Sequence, residues 1–146
     1  MPVKSILREK LIEKRSAWKA FLPALICAAA IFGLSVMPGI QLPETFFSPD
    51  KLGHFAAYGL LSWLTLNGLR KTDRRETLFF ILAIAAVSGY GILLEFVQWA
   101  FFPHRYFEVW DMIANIAGAG FSYFAMRGLE GLLRFRKFSN KPPKPQ

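Results

Sequence analysis

The segment DKLGHFAAY, Asp50 to Tyr58, places polar and ionisable side chains at the start of a stretch that is otherwise apolar as far as about Leu69. Asp50, His54 and Tyr58 are spaced four residues apart, so on a helix they share one face, with Lys51 beside them. Ionisable groups at the entrance of so apolar a helix are costly, and in membrane helices they mark functional sites by default. We therefore expect the rest of the chain to be arranged around this segment.

The charged residues lie between four apolar blocks, which is typical of a polytopic membrane protein. Hydrophobic residues make up 53% of the 146 residues, and the mean hydropathy of +0.30 is high for a chain of which 19% is charged. The net charge of +8 then indicates basic loops that contact anionic lipid, and we expect no nucleic-acid partner. The single cysteine, Cys27, excludes an internal disulfide and a zinc site built on cysteines.

The apolar blocks predict an all-α membrane protein with four transmembrane helices. The blocks run from 20 to 37, from 51 to 69, from 77 to 102 and from 110 to 126. They form one predicted domain over 20–130, between a basic cytoplasmic arm (1–19) and a basic, disordered cytoplasmic tail (131–146). The arm has the pattern of a short interfacial helix, although a solvated arm is an equal alternative. Pairs of small residues four apart, such as Ala114 and Gly118, would let the helices pack closely.

The basic residues predict the orientation of the helices. Sixteen of the 18 Lys and Arg lie in the arm, in the 70–76 loop and in the tail from Arg127 onward; the other two are Lys51 and Arg105. Because basic segments stay on the cytoplasmic side, both termini should be cytoplasmic and the other two loops should be outside.

Polar residues on three predicted helices should lie in one outer layer, above helix halves that are almost purely apolar. His54 and Asn115 each lie about 6 Å below the outer end of their helices, and Glu95 about 10 Å below its own. Arg105 lies in the loop directly above this layer. A purely structural polar clasp would explain most of these residues one by one, but a lone carboxylate inside a span costs about 3 kcal/mol. Glu95 therefore needs a partner, which Arg105, Lys51 or His54 can provide.

The order and spacing of these residues resemble the VanZ-like family of small bacterial membrane proteins, over about residues 20–126. The matching motifs are Ser35 and Pro38; Asp50, Lys51, His54, Phe55 and Tyr58; Glu95 and Gln98; Pro103 and Arg105; and Asp111, Asn115 and Gly118, with Gly120 beyond. The resemblance implies a multi-pass protein of the bacterial inner membrane. The family is linked to resistance to the glycopeptide antibiotic teicoplanin, which is acylated and acts beside lipid-linked cell-wall precursors.

The favoured hypothesis is a protein that binds an amphiphile, either a membrane lipid or a lipid-linked cell-wall precursor, at the outer leaflet. The expected ligand-binding residues are Asp50, Lys51, Tyr58, Gln98, Arg105, Asp111 and Asn115. An intramembrane enzyme is the first alternative, with Glu95 or His54 as general base. A structural envelope scaffold is the second. We expect no cofactor and no metal: a site from His54, Glu95 and Asp111 is possible by ligand type, but this layer holds only one histidine.

Overall fold

The computed structural model describes residues 18–37, 49–102 and 107–139. Within these ranges the chain forms four α-helices and no strand, which confirms the predicted all-α class for this part of the protein. The helices are α1 (Leu22–Ser35), α2 (Pro49–Lys71), α3 (Thr77–Phe101) and α4 (Val109–Ser139). The predicted interfacial helix falls on 1–19 and, apart from Trp18 and Lys19, lies outside the described residues.

The helix termini carry the residues that favour helix starts and ends. Pro23 is in the first turn of α1, where a missing backbone N–H costs nothing. α2 has Asp50 in its first turn and two basic residues in its last, and α4 repeats this pattern from Asp111. Negative charge at a helix start and positive charge at its end both stabilise the helix through its dipole.

Among the described helices, α3 is the one both long and apolar enough to cross a membrane by length and hydropathy. Its most apolar window has a mean hydropathy of 2.2, and only 22% of that window is buried inside the protein. α1 is apolar but has 14 residues, and α2 and α4 carry more polar residues. Hydropathy therefore supports one of the four predicted spans directly.

The four helices alternate in direction, and α2 and α4 make the most extensive contact. The backbone of Gly118 on α4 lies against the Phe55 carbonyl of α2, and the α2 residue Gly59 packs against Gly118 in turn. Below this contact, the Ser62 hydroxyl donates to the Ala119 carbonyl (2.9 Å) and the Ser122 hydroxyl lies 2.8 Å from Ser62 Oγ. Both serines are buried, so the deeper halves of the helices are less purely apolar than the sequence predicts.

α1 packs on the outside of this pair, parallel to α3. The Tyr90 hydroxyl on α3 donates to the Ala28 carbonyl, and the Gln98 amide donates to the Ser35 carbonyl, each over 2.8 Å. The second acceptor is in the last turn of α1, where carbonyl groups lack a partner within the helix. Two hydrogen bonds, one at the middle of α1 and one in its last turn, therefore hold it against α3.

The predicted disordered tail needs correction for residues 131–139, because α4 continues through Ser139. The Arg70 guanidinium at the end of α2 pairs with Glu130, and Arg127 lies 3.7 Å from the same carboxylate. This contact holds α4 as it passes the end of α2, and no proline interrupts the sequence before residue 142. Residues 140–146 lie outside the described residues.

Substituting alanine for Gly118 should separate α2 from α4, whereas the same change at Gly120 should not. A methyl group at Gly118 would overlap the Phe55 carbonyl, while one at Gly120 meets nothing within 4 Å. Because backbone atoms must move, we expect Gly118→Ala to lower the free energy of unfolding by about 1–3 kcal/mol. Gly120→Ala should be neutral or stabilising by up to about 1 kcal/mol.

Thermal unfolding of the two variants in the same detergent tests this contact. A midpoint for Gly118→Ala equal to that of Gly120→Ala would mean that the helices do not meet at Gly118.

Candidate functional site

His54 is the centre of a polar cluster at the end of the protein where α2 and α4 begin and α3 ends, which we call the site end. Its Nδ1 lies 3.0 Å from Asn115 Oδ1 and 3.7 Å from Glu95 Oε1. Its Nε2 lies 3.9 Å from Asp50 Oδ1 and 3.7 Å from Asp111 Oδ2. Side chains from three helices thus surround one imidazole.

The Asn115 amide determines which imidazole nitrogen carries a proton when His54 is neutral. An amide oxygen only accepts, so the 3.0 Å contact requires that Nδ1–H donates to Asn115 Oδ1. In the neutral ring Nε2 then presents a lone pair to Asp50 and Asp111. Asn115 is fully buried, and its Nδ2 makes no hydrogen bond to any described residue.

Lys51 is the one lysine in the described part of this cluster. Its Nζ lies 3.6 Å from Glu108 Oε2 and 4.0 Å from Asp111 Oδ1. Glu95 and Asp111 are each only 4% exposed. The described cluster therefore contains four carboxylates and one lysine, and it carries an excess of negative charge. Glu95 and Asp111 are buried, whereas Asp50 is exposed and Glu108 is partly exposed.

Two predicted site residues lie beside this cluster and connect it to α1. The Tyr58 ring is stacked parallel to His54, with ring centroids 6.4 Å apart, and it is buried. A methyl group on Gly91 of α3 would meet both Tyr58 and Asn115 at 2.8 Å, so this glycine leaves room for both side chains. Gln98 instead turns towards α1, where it donates to the Ser35 carbonyl.

A cavity of about 270 Å³ opens next to His54, between α1, α2 and α3. Its wall combines polar groups with the apolar faces of α1 and α2. The polar wall is formed by Ser35, Asp50, His54, Tyr58 and Gln98, and the apolar wall by Ile31, Leu34, Gly53 and Ala57. A cavity of this kind accepts a molecule with a polar and an apolar part.

The family model described as VanZ/LLP1 matches residues 10–133 of the chain. The chain belongs to the VanZ/LLP1 family. The matched region contains every residue of the cluster and of the cavity wall, and it confirms the family resemblance of the sequence. A comparison with curated proteins gave no match, and a comparison with solved structures gave none.

The structure brings most of the predicted site residues of this VanZ/LLP1 protein together. Asp50, Lys51, His54, Tyr58, Glu95, Asp111 and Asn115 form the cluster, and Gln98 lies on the cavity wall. Arg105 lies outside the described residues, so its predicted role stays a prediction.

The contributions of Glu108 and of the apolar α1 residues Ile31 and Leu34 were not predicted from the sequence, whereas Ser35 belongs to a motif identified there. Glu108 is three residues before Asp111, a spacing that places both carboxylates on one side of a helix start. Ile31, Leu34 and Ser35 follow the i, i+3, i+4 spacing of one helix face. Both signals are present in the sequence, but spacing alone does not reveal which helix a face contacts.

Removing either hydrogen bond to α1 should loosen the wall of the cavity. Tyr90→Phe deletes only the hydroxyl that reaches Ala28, and Gln98→Leu deletes the amide that reaches Ser35. Each change should lower the free energy of unfolding by about 0.5–1.5 kcal/mol. Because the two bonds are distant, the double variant should lose about the sum of the two effects.

Thermal unfolding of both single variants and the double variant measures these effects. The control is Tyr123→Phe, whose hydroxyl makes no hydrogen bond to a described residue and whose ring packs against Phe80. Unchanged stability in Tyr90→Phe and Gln98→Leu would mean that α1 is not held by these bonds.

Proposed function

We propose that this VanZ/LLP1 protein is an integral membrane protein that binds an amphiphilic or lipid-linked molecule at the outer leaflet. The observation that carries the proposal is the cavity beside His54, which has polar groups on one side and an apolar wall on the other. Its volume of about 270 Å³ is slightly below the range typical of pockets that enclose a whole small ligand. The head group would occupy the cavity, and the tail would lie along the apolar helices.

The proposed topology has four membrane spans and both termini in the cytoplasm. The largely unburied apolar surface of α3 supports contact with lipid. α2, at 23 residues, is about 35 Å long and can cross a hydrocarbon core of about 30 Å. α4, at 31 residues, is about 46 Å long, and its excess length at the C-terminal end carries Arg134, Arg136 and Lys137. That distribution agrees with a cytoplasmic C-terminus.

Single cysteines introduced into a Cys27→Ser background should report this topology. A cysteine at a position within 40–48 should react with a membrane-impermeant maleimide on intact cells, and one within 71–75 should react only after the membrane is opened. The reverse pattern would place the His54 cluster on the cytoplasmic side and would contradict binding at the outer leaflet.

The charges around the cavity favour a head group with both signs of charge. Asp50 lines the cavity and would hold a positive or hydrogen-bond-donating group. Arg105, which follows α3 directly in the sequence, is the proposed partner for a phosphate or carboxylate, as arginine is suited to bidentate contact. A membrane lipid or a lipid-linked cell-wall precursor has these features. Binding of such an acylated molecule would also explain the family's link to teicoplanin resistance.

One observation favours an intramembrane enzyme as a second candidate. The Glu95 carboxylate lies 3.7 Å from the His54 ring, which is the arrangement of a base held beside a proton carrier. In this case the protein would hydrolyse or transfer a lipid head group. Pure protein would then turn over a lipid phosphate, and Glu95→Gln would lose that turnover without losing the bound lipid.

Native mass spectrometry of the purified protein tests binding directly. The wild-type protein should retain a lipid-sized adduct in mild detergent. Ala57→Phe should lose the adduct, because Ala57 lines the cavity, and Arg105→Ala should lose it by removing the head-group contact. The matched control is Ala86→Phe, which adds the same ring to an exposed position on α3.

Retention of the adduct by Ala57→Phe at the wild-type level would contradict binding in this cavity. A thermal melt of each variant in the same detergent distinguishes loss of ligand from loss of fold.

A further inference from the structure

Three side chains at the site end point their ligand atoms at one small volume. One oxygen each from Asp50 and Asp111 and a ring nitrogen of His54 all lie within 4.8 Å of one another. Asp50 and His54 are one turn apart on α2, and Asp111 reaches them from the start of α4. The set therefore depends on the packing of two helices.

The distances within this set are too long for hydrogen bonds. Nε2 is 3.7 Å from the Asp111 carboxylate and 3.9 Å from that of Asp50, whereas a hydrogen bond between such groups spans about 2.7–3.2 Å. Ligands around a shared tetrahedral zinc ion, each about 2.0–2.2 Å from the metal, lie roughly 3.4 Å apart. The distances from Nε2 exceed this ligand spacing by a few tenths of an ångström, and the whole set lies within 4.8 Å, so the side chains would have to close slightly around an ion.

The tautomer of His54 also suits a cation at Nε2. Since Nδ1–H donates to the Asn115 oxygen, Nε2 of the neutral ring has its lone pair directed at the two carboxylates. Metal-bound histidines usually donate their other ring N–H in this way, because that bond orients the ring and raises its basicity. Without a cation or a proton at Nε2, this lone pair would face two negative charges.

The burial and charge of Asp111 give an independent reason for a cation. Asp111 is 4% exposed, and its Oδ2 faces His54 Nε2 at 3.7 Å. Its Oδ1 makes no hydrogen bond to any described residue, and the nearest lysine among those residues is Lys51, 4.0 Å away. A buried carboxylate is costly unless it is paired or coordinates a metal. Lys51 is shared with Glu108, so one ammonium offsets two carboxylates at once and leaves the described cluster negative.

We propose that Asp50, His54 and Asp111 bind a divalent transition-metal cation, of which Zn²⁺ best matches one imidazole and two carboxylates. This replaces the expectation of no metal, which was based on the single histidine in this layer. Because Asp50 and His54 also line the cavity, a further coordination position would face it. There the cation would accept a phosphate or carboxylate oxygen of the bound molecule, and this last step alone rests on the proposed function.

Zinc binding is measured on the full-length protein in detergent, purified with a tag that contains no histidine and treated with a chelator. Isothermal titration with ZnCl₂ should show one ion per chain. Asp111→Asn, which keeps the shape of the side chain, should weaken binding at least tenfold. Asn115→Leu, which removes only the acceptor for Nδ1–H, should weaken it by about 10- to 100-fold.

The matched control is His104→Gln, which removes the other histidine of the chain and should leave zinc affinity unchanged. X-ray absorption at the zinc edge of the wild-type protein should show one imidazole and otherwise oxygen ligands, and it needs no variant to fold. A sulfur ligand, affinity lost in His104→Gln, or equal affinity in Asp111→Asn would overturn the proposal. Absence of zinc binding would also overturn it.

These measurements use no lipid, so they separate the two proposals. A protein that binds zinc but retains no adduct in native mass spectrometry would keep the metal site and contradict the lipid-binding function. A protein that retains the adduct but binds no zinc would support the lipid-binding function and contradict the metal site.

Discussion

The close approach of α2 and α4 at Gly118 is the contact on which the rest of the structure depends. Phe55, whose carbonyl lies against Gly118, is the neighbour of His54 along α2, and Asn115 is three residues before Gly118 on α4. The backbone contact therefore sets the distance at which Asn115 meets His54. A side chain at position 118 would move the two helices apart and would separate the imidazole from both Asn115 and Asp111. The packing of α2 against α4 therefore also sets the geometry of the polar cluster around His54.

The remaining two helices complete the site in different ways. α3 supplies the buried Glu95 and, through Gly91, the space in which Tyr58 and Asn115 lie. α1 adds no charge; it closes the cavity with an apolar face and is held through two of its backbone carbonyls. The polar wall of the cavity therefore comes mainly from α2, with Ser35 of α1 and Gln98 of α3, and α1 and α2 share its apolar wall.

The sequence predicts the helices and most of the cluster because both follow from local periodicity. Four apolar blocks separated by charges predict four helices, and short connections between them bring Asp50, Glu95 and Asp111 to the same end. The sequence does not predict which small residues mediate contact: Gly33, Gly53 and Gly89 belong to the same kind of pattern as Gly118, yet a methyl group there would meet nothing within 4 Å. The rotation of each helix about its own axis determines which small residues face a neighbouring helix, and that rotation depends on how the helices pack together. For the same reason, the sequence does not predict that Gln98 faces α1 or that Ser62 meets Ser122.

The location of the acids explains how a negative cluster is tolerated next to an apolar cavity. Asp50 and Asp111 lie in the first turns of α2 and α4, where unpaired backbone N–H groups and the helix dipole favour negative charge. Lys51 offsets part of the remainder, but Glu95 lies near the end of α3, where the dipole disfavours a carboxylate. His54 is the described group that reaches Glu95, Asp50 and Asp111 together. A proton or a metal ion at Nε2 would therefore reduce the negative charge that Asp50 and its neighbours give to the polar wall of the cavity.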